Sequence, residues 1–294
     1  MRSLPADCGP VLGIDIGGTA VKAAYCQAEG VLVAISSEYA KPDREQLAAA
    51  VRQAVAGLGP VHPVSVGLCV PGRKSADGES IELAVNLPGL EGYPFATLLE
   101  DAGVDVCNPT VTSDAVAATI DVAAETSGER VLGIALGTGV GMALIEAGRP
   151  ISIGKKSIGH LGQIDVGPCS PEPVFGPDCG RNSLEGYIGV PALRKRFGAE
   201  FAQRLKWLSD EDPALVALCR AIRICLAIYE PDRVVLLGGL GLAMRPLEER
   251  IRRGVADGLT SVAPPSWKIG FGTDRFHAAR GACRLAVSAT GMAV

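Results

Sequence analysis

The stretch "VLGIDIGGTAVKAA", Val11 to Ala24, is written nearly twice, because "VLGIALGTGVGMAL" runs from Val131 to Leu144 at an offset of 120. Val11-Leu12-Gly13-Ile14 repeats as Val131-Leu132-Gly133-Ile134, Gly17 matches Gly137, and Ala23 matches Ala143. An apolar run that ends in a glycine cluster reads as a strand entering a tight hairpin. Each copy opens a fresh alternation of short β-branched runs and segments of helical period. That pattern predicts an α/β chain of two related lobes around a central cleft. One difference carries chemistry: Asp15 stands at the end of the first run and Ala135 at the end of the second.

Along the chain the strand "PVSVGLCV" follows a helical segment at 44–58, a Pro/Gly-rich stretch covers 71–94, and a short helix is expected near 95–103. "TVTSDAVAATIDVAAETSG" reads as a helix capped by Thr112 or Ser113, with Asp114 in its first turn. After the second hairpin come a loop at 152–182, helices near 191–204 and 213–229, the strand "RVVLLGG", a helix at 245–258, the strand "WKIGFG" and a last helix at 277–291. The expected lobes are a smaller N-terminal one, 1–112, onto which a C-terminal helix at 280–294 packs back, and a larger one, 113–280.

The glycine turns are suited to phosphate. Gly17 and Gly18 let the backbone turn with no Cβ in the way, Thr19 adds a hydroxyl, and consecutive exposed N–H groups form a concave anion site. Gly137, Thr138, Gly139 and Gly141 give the second turn the same capacity. A carboxylate beside phosphate repels it unless a Mg2+ ion lies between, so one metal-directed acid, Asp15, is enough for the pair. Neither turn is a Walker A loop, since G-x-x-x-x-G-K-[ST] is absent.

Composition narrows the function classes. With 28 basic and 32 acidic residues and a net charge of -4, the chain has no basic block suited to nucleic acid. No apolar run reaches the roughly 18 residues of a membrane span and the N-terminal residues have no signal core, so a cytoplasmic protein is expected. Nine cysteines without a C-x-x-C pair read as buried small hydrophobes, apart from Cys169 and Cys179 in a Pro/Gly-rich loop. Arg220, Arg223, Arg250, Arg252 and Arg253 read as solvated helix faces.

"GIDIGGTAVKAA", "VPG", "NLPG", "SDAVAA", "GTGVGMALIEAG", "GH", "CGRNSLEGY", "VVLLGGLG" and "RGACRLA" occur in the order of the motifs of the ROK family, bacterial sugar kinases and sugar-responsive repressors, which this chain resembles. The resemblance implies the actin-like ATPase (ribonuclease H-like) fold and transfer of the ATP γ-phosphate to a hydroxyl of a hexose or N-acylhexosamine, with Mg2+. It implies Asp114 as the catalytic base. Asp15, Gly17, Gly18, Thr19, Lys22, Gly137, Thr138, Gly139, Gly141, Gly238 and Gly239 would bind nucleotide and phosphate. Gly72, Asn86, Ser113, Ser157, His160 and Glu185, with Asp114, would bind the sugar. The family also implies a homodimer. Ten residues precede the first strand in this sequence, so the helix-turn-helix of the family's repressors, and with it DNA binding, is not expected.

Three positions depart from the family pattern. Its Asn-Asp pair is Ser113-Asp114 here, and its Gly-Glu-x-Gly-His stretch is Lys156-Ser157-Ile158-Gly159-His160, so a serine stands where a carboxylate is expected. A serine replaces only part of the charge-assisted hydrogen bonding a carboxylate offers to sugar hydroxyls. The family's zinc motif C-x-C-G-x-x-G-C appears with Pro177 at its first position, Cys179 kept and Ser183 at its last. The expectation is that zinc is absent; a zinc ion would have only His160, Cys169 and Cys179. Alternative readings are a catalytically weak sugar sensor and a polyphosphate-dependent glucokinase-like enzyme.

Overall fold

A computed structural model describes residues 9–84, 87–105, 108–126, 128–152, 159–177, 179–261, 263 and 266–289. The chain forms two compact units, Met1–Glu125 with Phe276–Val294, and Thr126–Arg275. The helix that opens with Asp114, expected to begin the second lobe, therefore falls in the first unit.

The first unit contains β1 (Val11–Ile16), β2 (Val21–Gln27), β3 (Gly30–Ile35), α1 (Arg44–Ala56), β4 (Ser65–Cys69), the small hairpin β5 (Arg73–Lys74) and β6 (Ile81–Leu83), α2 (Phe95–Asp101), β7 (Thr110–Thr112) and α3 (Asp114–Ala123). Its main sheet has the order β3-β2-β1-β4-β7, with β1 antiparallel to β2 and parallel to β4. Every residue of β1 is buried, as a central strand covered on both faces should be. Local signals set the helix starts. Asp43 and Gln46 form a reciprocal capping box on α1, and Ser113 Oγ accepts the Val116 N–H of α3 at 3.4 Å.

The last helix, His277–Ala289, packs on β1, β2, β4 and α3. Glycines permit the approach. A Cβ on Gly13 would lie 1.9 Å from Ala279 O, one on Gly67 2.0 Å from Ala282 O, and one on Gly281 1.8 Å from Ala117 O. A buried ionic cluster fastens the same helix to α3. Asp121 Oδ2 receives Arg280 Nε at 2.8 Å and lies 2.8 Å from His277 Nδ1, while Oδ1 receives Arg284 Nε at 3.0 Å. Burial by itself raises the Asp121 carboxyl, but His277, Arg280 and Arg284 outweigh it and hold the group below its ordinary value.

The second unit contains β8 (Val131–Leu136), β9 (Val140–Glu146), β10 (Arg149–Pro150), α4 (Leu184–Ile188), α5 (Val190–Phe197), α6 (Phe201–Arg204), α7 (Pro213–Tyr229), β11 (Arg233–Leu237), α8 (Gly238–Ala243), α9 (Glu248–Ala256) and β12 (Lys268–Phe271). Its sheet order, β10-β9-β8-β11-β12, places an antiparallel meander beside parallel strands just as the first sheet does. The helix expected over 191–204 breaks into α5 and α6 at Gly198, whose φ is +79°. α7 starts on an Asp212 cap with Pro213 in its first turn and buries one face in the core. Among the described residues no helix is long and apolar enough to cross a membrane.

The two hairpins share a backbone plan but differ in length by one residue. Four residues join Ile16 to Val21, and three join Leu136 to Val140. Gly13 faces Ala24 and Gly133 faces Ala143, so the structural counterpart of Ala143 is Ala24 and not Ala23. A constant offset of 120 cannot survive the shorter turn.

Candidate active site

In the first unit the chemistry gathers at the ends of the parallel strands. Asp15 of β1 is in register with Cys69 of β4, and Cys69 with Thr112 of β7. Across the hairpin Asp15 faces Lys22, and Lys22 Nζ donates to Asp15 Oδ2 at 2.8 Å. Asp15 is only 5% exposed, so the ammonium supplies the charge that a buried carboxylate requires. The Asp15 charge raises the Lys22 ammonium above its ordinary value against the opposing effect of burial, which keeps it protonated.

The turn beyond Asp15 closes on itself through Gly17 N–H to Ala20 O at 3.1 Å. Tyr39 clasps it from outside: its hydroxyl donates to Gly17 O at 2.6 Å and its N–H to Thr19 O at 2.8 Å. Among the described residues the N–H groups of Gly18 and Thr19 make no hydrogen bond, so two adjacent donors remain for a ligand. Sequence reasoning missed Tyr39. No motif singles it out, because it acts on backbone atoms far away in the chain.

β7 delivers Ser113 to the N-cap of α3 and Asp114 to its first turn. Asp114 Oδ1 accepts its neighbour's N–H, from Ala115, at 2.8 Å. Burial first, and then the charge of Asp15, push the Asp114 carboxyl above the usual carboxylate range. The side chain keeps an open face to solvent, which screens the effect and limits its energetic size. The fully buried Cys69 thiol is likewise pushed up, by burial and by the charges of Asp15 and Asp114; such a thiol is unreactive.

Gly72 has φ +105°, and a Cβ there would meet Leu83 O at 2.4 Å, so its backbone conformation alone demands glycine. Lys74, two residues on, donates to Val111 O at 2.7 Å. Asn86 lies outside the described residues; the turn after it packs on the start of α1, with Gly89 N–H donating to Pro42 O at 3.2 Å.

In the second unit, Ala135 faces Gly141 at the rung where Asp15 faces Lys22. The turn is closed by Gly137 N–H to Gly139 O at 3.0 Å and braced by Val190 N–H to Gly137 O at 2.9 Å. Glu185, at the start of α4, reaches it: Oε2 accepts the Val140 N–H at 2.8 Å. A Cβ on Gly139 or on Gly162 would come within 3.0 or 2.8 Å of that same oxygen. Thr138 is half-buried in this turn. Gly238 has φ +77° and lies so close to Leu136 O, 2.4 Å from an added Cβ, that no side chain fits, whereas Gly239 faces open space.

His160 is exposed ahead of the turn Leu161–Gln163, and Ser157 lies outside the described residues. Cys179 is exposed with φ +61°, and Cys169 is half-buried. Among the described residues no group of three or more His, Cys, Asp or Glu side chains could hold a metal ion, so His160, Cys169 and Cys179 are not brought together as ligands. Arg220 and Arg223 do not form a solvated face. Arg220 Nη1 donates to Val166 O and Pro168 O at 3.0 and 2.9 Å, and Arg223 Nη1 to Gly254 O at 2.7 Å. Arg250 donates to Leu208 O, while Arg252 and Arg253 keep to exposed ion pairs with Glu249 and Asp210.

The chain is 29% identical over 303 residues to the N-acetyl-D-glucosamine kinase of Erwinia tasmaniensis, with 85% of this chain and 97% of that protein covered. Its structure is similar to that of a ROK family glucokinase from Streptomyces griseus in complex with glucose and AMPPNP, with TM-score 0.71 and 22% identity over 95% of this chain and 100% of that one. It is also similar to an inorganic polyphosphate/ATP-glucomannokinase from Arthrobacter sp. strain KM, with TM-score 0.60 and 22% identity over 95% and 99% of the two chains. These structural likenesses establish the actin-like ATPase fold. The sequence model of the ROK family spans residues 11–288, nearly the whole chain, and the protein belongs to that family.

Proposed function

We propose that the protein is an ATP-dependent sugar kinase that transfers the γ-phosphate to a hydroxyl of a hexose or N-acylhexosamine, with Asp114 as general base. The observation that carries this reading is the Asp15–Lys22 pair at the end of β1 together with Asp114 beyond β7, an open carboxyl held above its ordinary value by burial and by the charge of Asp15. The kinase relatives support the same class of reaction.

Asp114 takes the proton of the acceptor hydroxyl as its oxygen attacks the γ-phosphorus. The bond from that phosphorus to the β,γ-bridging oxygen breaks, and ADP departs with the electron pair. The free N–H groups of Gly18 and Thr19, with the second turn at 137–141, would bind phosphate oxygens. The backbone at Gly238 and Gly239 would pass beside the nucleoside. Gly72, Asn86 and Ser113 of the first unit and Ser157, His160 and Glu185 of the second are the residues assigned to sugar in this reading. The donor set suits Mg2+, because Asp15 engages Lys22 through Oδ2 and its Oδ1 has no partner among the described residues. When bound, that ion neutralises phosphate charge. The reading places the protein in the cytoplasm, as a homodimer acting on a small sugar and not on nucleic acid or a membrane.

The test is ADP release with Mg-ATP against hexoses, N-acylhexosamines, deoxysugars and polyols, with Asp114→Asn as control. We expect turnover on one member, lowered about 10²–10⁴-fold in the variant, as for removal of a general base. The raised carboxyl is active when deprotonated, so kcat/KM should fall as the pH drops through a value above the ordinary carboxylate of about 4, and this limb should vanish in the variant. Turnover only with polyphosphate would replace the donor. Sugar binding without turnover under either donor would make the protein a sensor.

A further inference from the structure

The second unit holds a surface segment, Ile164–Cys169, that is fastened more firmly than a connecting loop requires. It pairs with residues 182–184: Val166 N–H donates to Asn182 O and Leu184 N–H to Ile164 O, each at 3.1 Å, and Asp165 bridges Ser183. At Gly167 the chain reverses with φ +71°. Three acceptors then converge on one donor. Arg220 Nη1 lies 3.0 Å from Val166 O, 2.9 Å from Pro168 O and 3.5 Å from Cys169 Sγ, and a Cβ on residue 167 would come within 3.3 Å of that nitrogen. Tyr187 of α4 adds a second fastening, since its hydroxyl accepts the Cys169 N–H at 3.1 Å and donates to Asn182 Oδ1 at 3.2 Å.

The post that carries Arg220 is rigid. Its neighbours Cys219, Ala221 and Ile222 on α7 are buried in the core, so the guanidinium is presented from a fixed helix. The fastened segment leads straight into Glu185. Ser183 Oγ caps α4 by accepting the Gly186 N–H at 3.2 Å, which sets Glu185 in the first turn, and Glu185 Oε2 accepts the Val140 N–H that begins β9. Gly189, held to Glu185 O at 2.9 Å, precedes the Val190 N–H that braces Gly137 O. Both sides of the second glycine turn therefore depend on where residues 182–190 are placed.

We infer that Arg220 is a positioning residue for the second glycine turn. Its guanidinium fixes residues 164–169, these set the register of 182–184, and Glu185 passes the placement to Val140. The functional consequence rests on the kinase reading, in which this turn binds phosphate; the mechanical link does not.

Amide hydrogen exchange by mass spectrometry tests the link without turnover, on peptides covering 134–142 and 164–170 in the wild type, Arg220→Met, Arg220→Lys, Glu185→Leu and the Met/Leu double variant. Arg220→Met should speed exchange in both peptides, about fivefold or more in the one containing Val140. Glu185→Leu, which removes the acceptor of the Val140 N–H, should reproduce the effect at 134–142, the double variant should add nothing to it, and Lys, with its own charged donors, should restore part of the protection. In calorimetry with Mg-AMPPNP the Met variant should bind about tenfold more weakly and the Lys variant between it and wild type. Tyr187→Phe, which removes only the second fastening, carries the same exchange test if Arg220→Met does not fold. Faster exchange confined to 164–170, or additive effects of the two substitutions at 134–142, would overturn the inference. A wild type that binds no AMPPNP while the exchange pattern holds would instead count against the kinase reading alone.

Discussion

The hairpins β1/β2 and β8/β9 pair their strands in the same way, yet they support their turns by different means. The first carries its own charges on its own strands, Asp15 opposite Lys22, with Tyr39 holding the turn from outside. The second has Ala135 opposite Gly141 at that rung and borrows a carboxylate, Glu185, from 45 residues further along the chain. A repeated backbone plan thus leaves room for charge to be placed independently in each copy. In the first, the buried carboxylate is paired with a cation on the facing strand of the same hairpin. In the second, the carboxylate is engaged by a backbone N–H, and the rung that corresponds to Asp15 and Lys22, Ala135 opposite Gly141, stays neutral and small.

Exchanging the features of the two hairpins measures how much that difference matters. The largest effect is expected from Asp15→Ala, which gives the first hairpin the residue of the second; kcat should fall about 10²–10³-fold, the scale for removing one preorganised electrostatic group. Steady-state kinetics with Mg-ATP would show this, and near wild-type turnover would mean that the acid is not what sets the hairpins apart. The reverse exchange, Ala135→Asp, should be milder. It puts a carboxylate opposite a glycine, with no lysine to pair with, and should weaken ATP binding about tenfold in calorimetry. Unchanged affinity would show that the neutral rung is incidental. The smallest effect belongs to Tyr39→Phe. Losing its hydrogen bond to Gly17 O should cost about 1 kcal/mol, a drop of roughly 2 °C in Tm for a chain of this size, read by thermal melting.

The repeat itself was legible because strand pattern and glycine turns are local. So was the helix start that sets Asp114 in its first turn, since such a start is written within a few residues, although the choice between Thr112 and Ser113 as its cap was not. The one-residue slip between hairpins was not, because letters align at a constant offset while strand pairing answers to turn length. Lys22 was assigned to phosphate, and its salt bridge to Asp15 emerges only when β2 folds back on β1. Arg220 looked like one of several arginines on a helix face; what distinguishes it is three acceptors more than fifty residues earlier in the chain. Asp121 was one letter in an alanine-rich helix, and its partners lie beyond residue 276. Long-range polar contacts leave little trace in local pattern, and most of the candidate site's supporting structure is of that kind.

The last helix also determines when the first unit can exist at all. Gly13 and Gly67 leave β1 and β4 with a bare strip against which Ala279, Ala282 and Cys283 pack, and the carboxylate of Asp121 has its cations on the same helix. During synthesis the second unit emerges as one continuous stretch and can collapse on its own. The first unit must wait, its sheet open along one face, until residues at the far end of the chain have left the ribosome. Asp15 and Asp114 are therefore in the chain at least 150 residues before the helix that completes their unit.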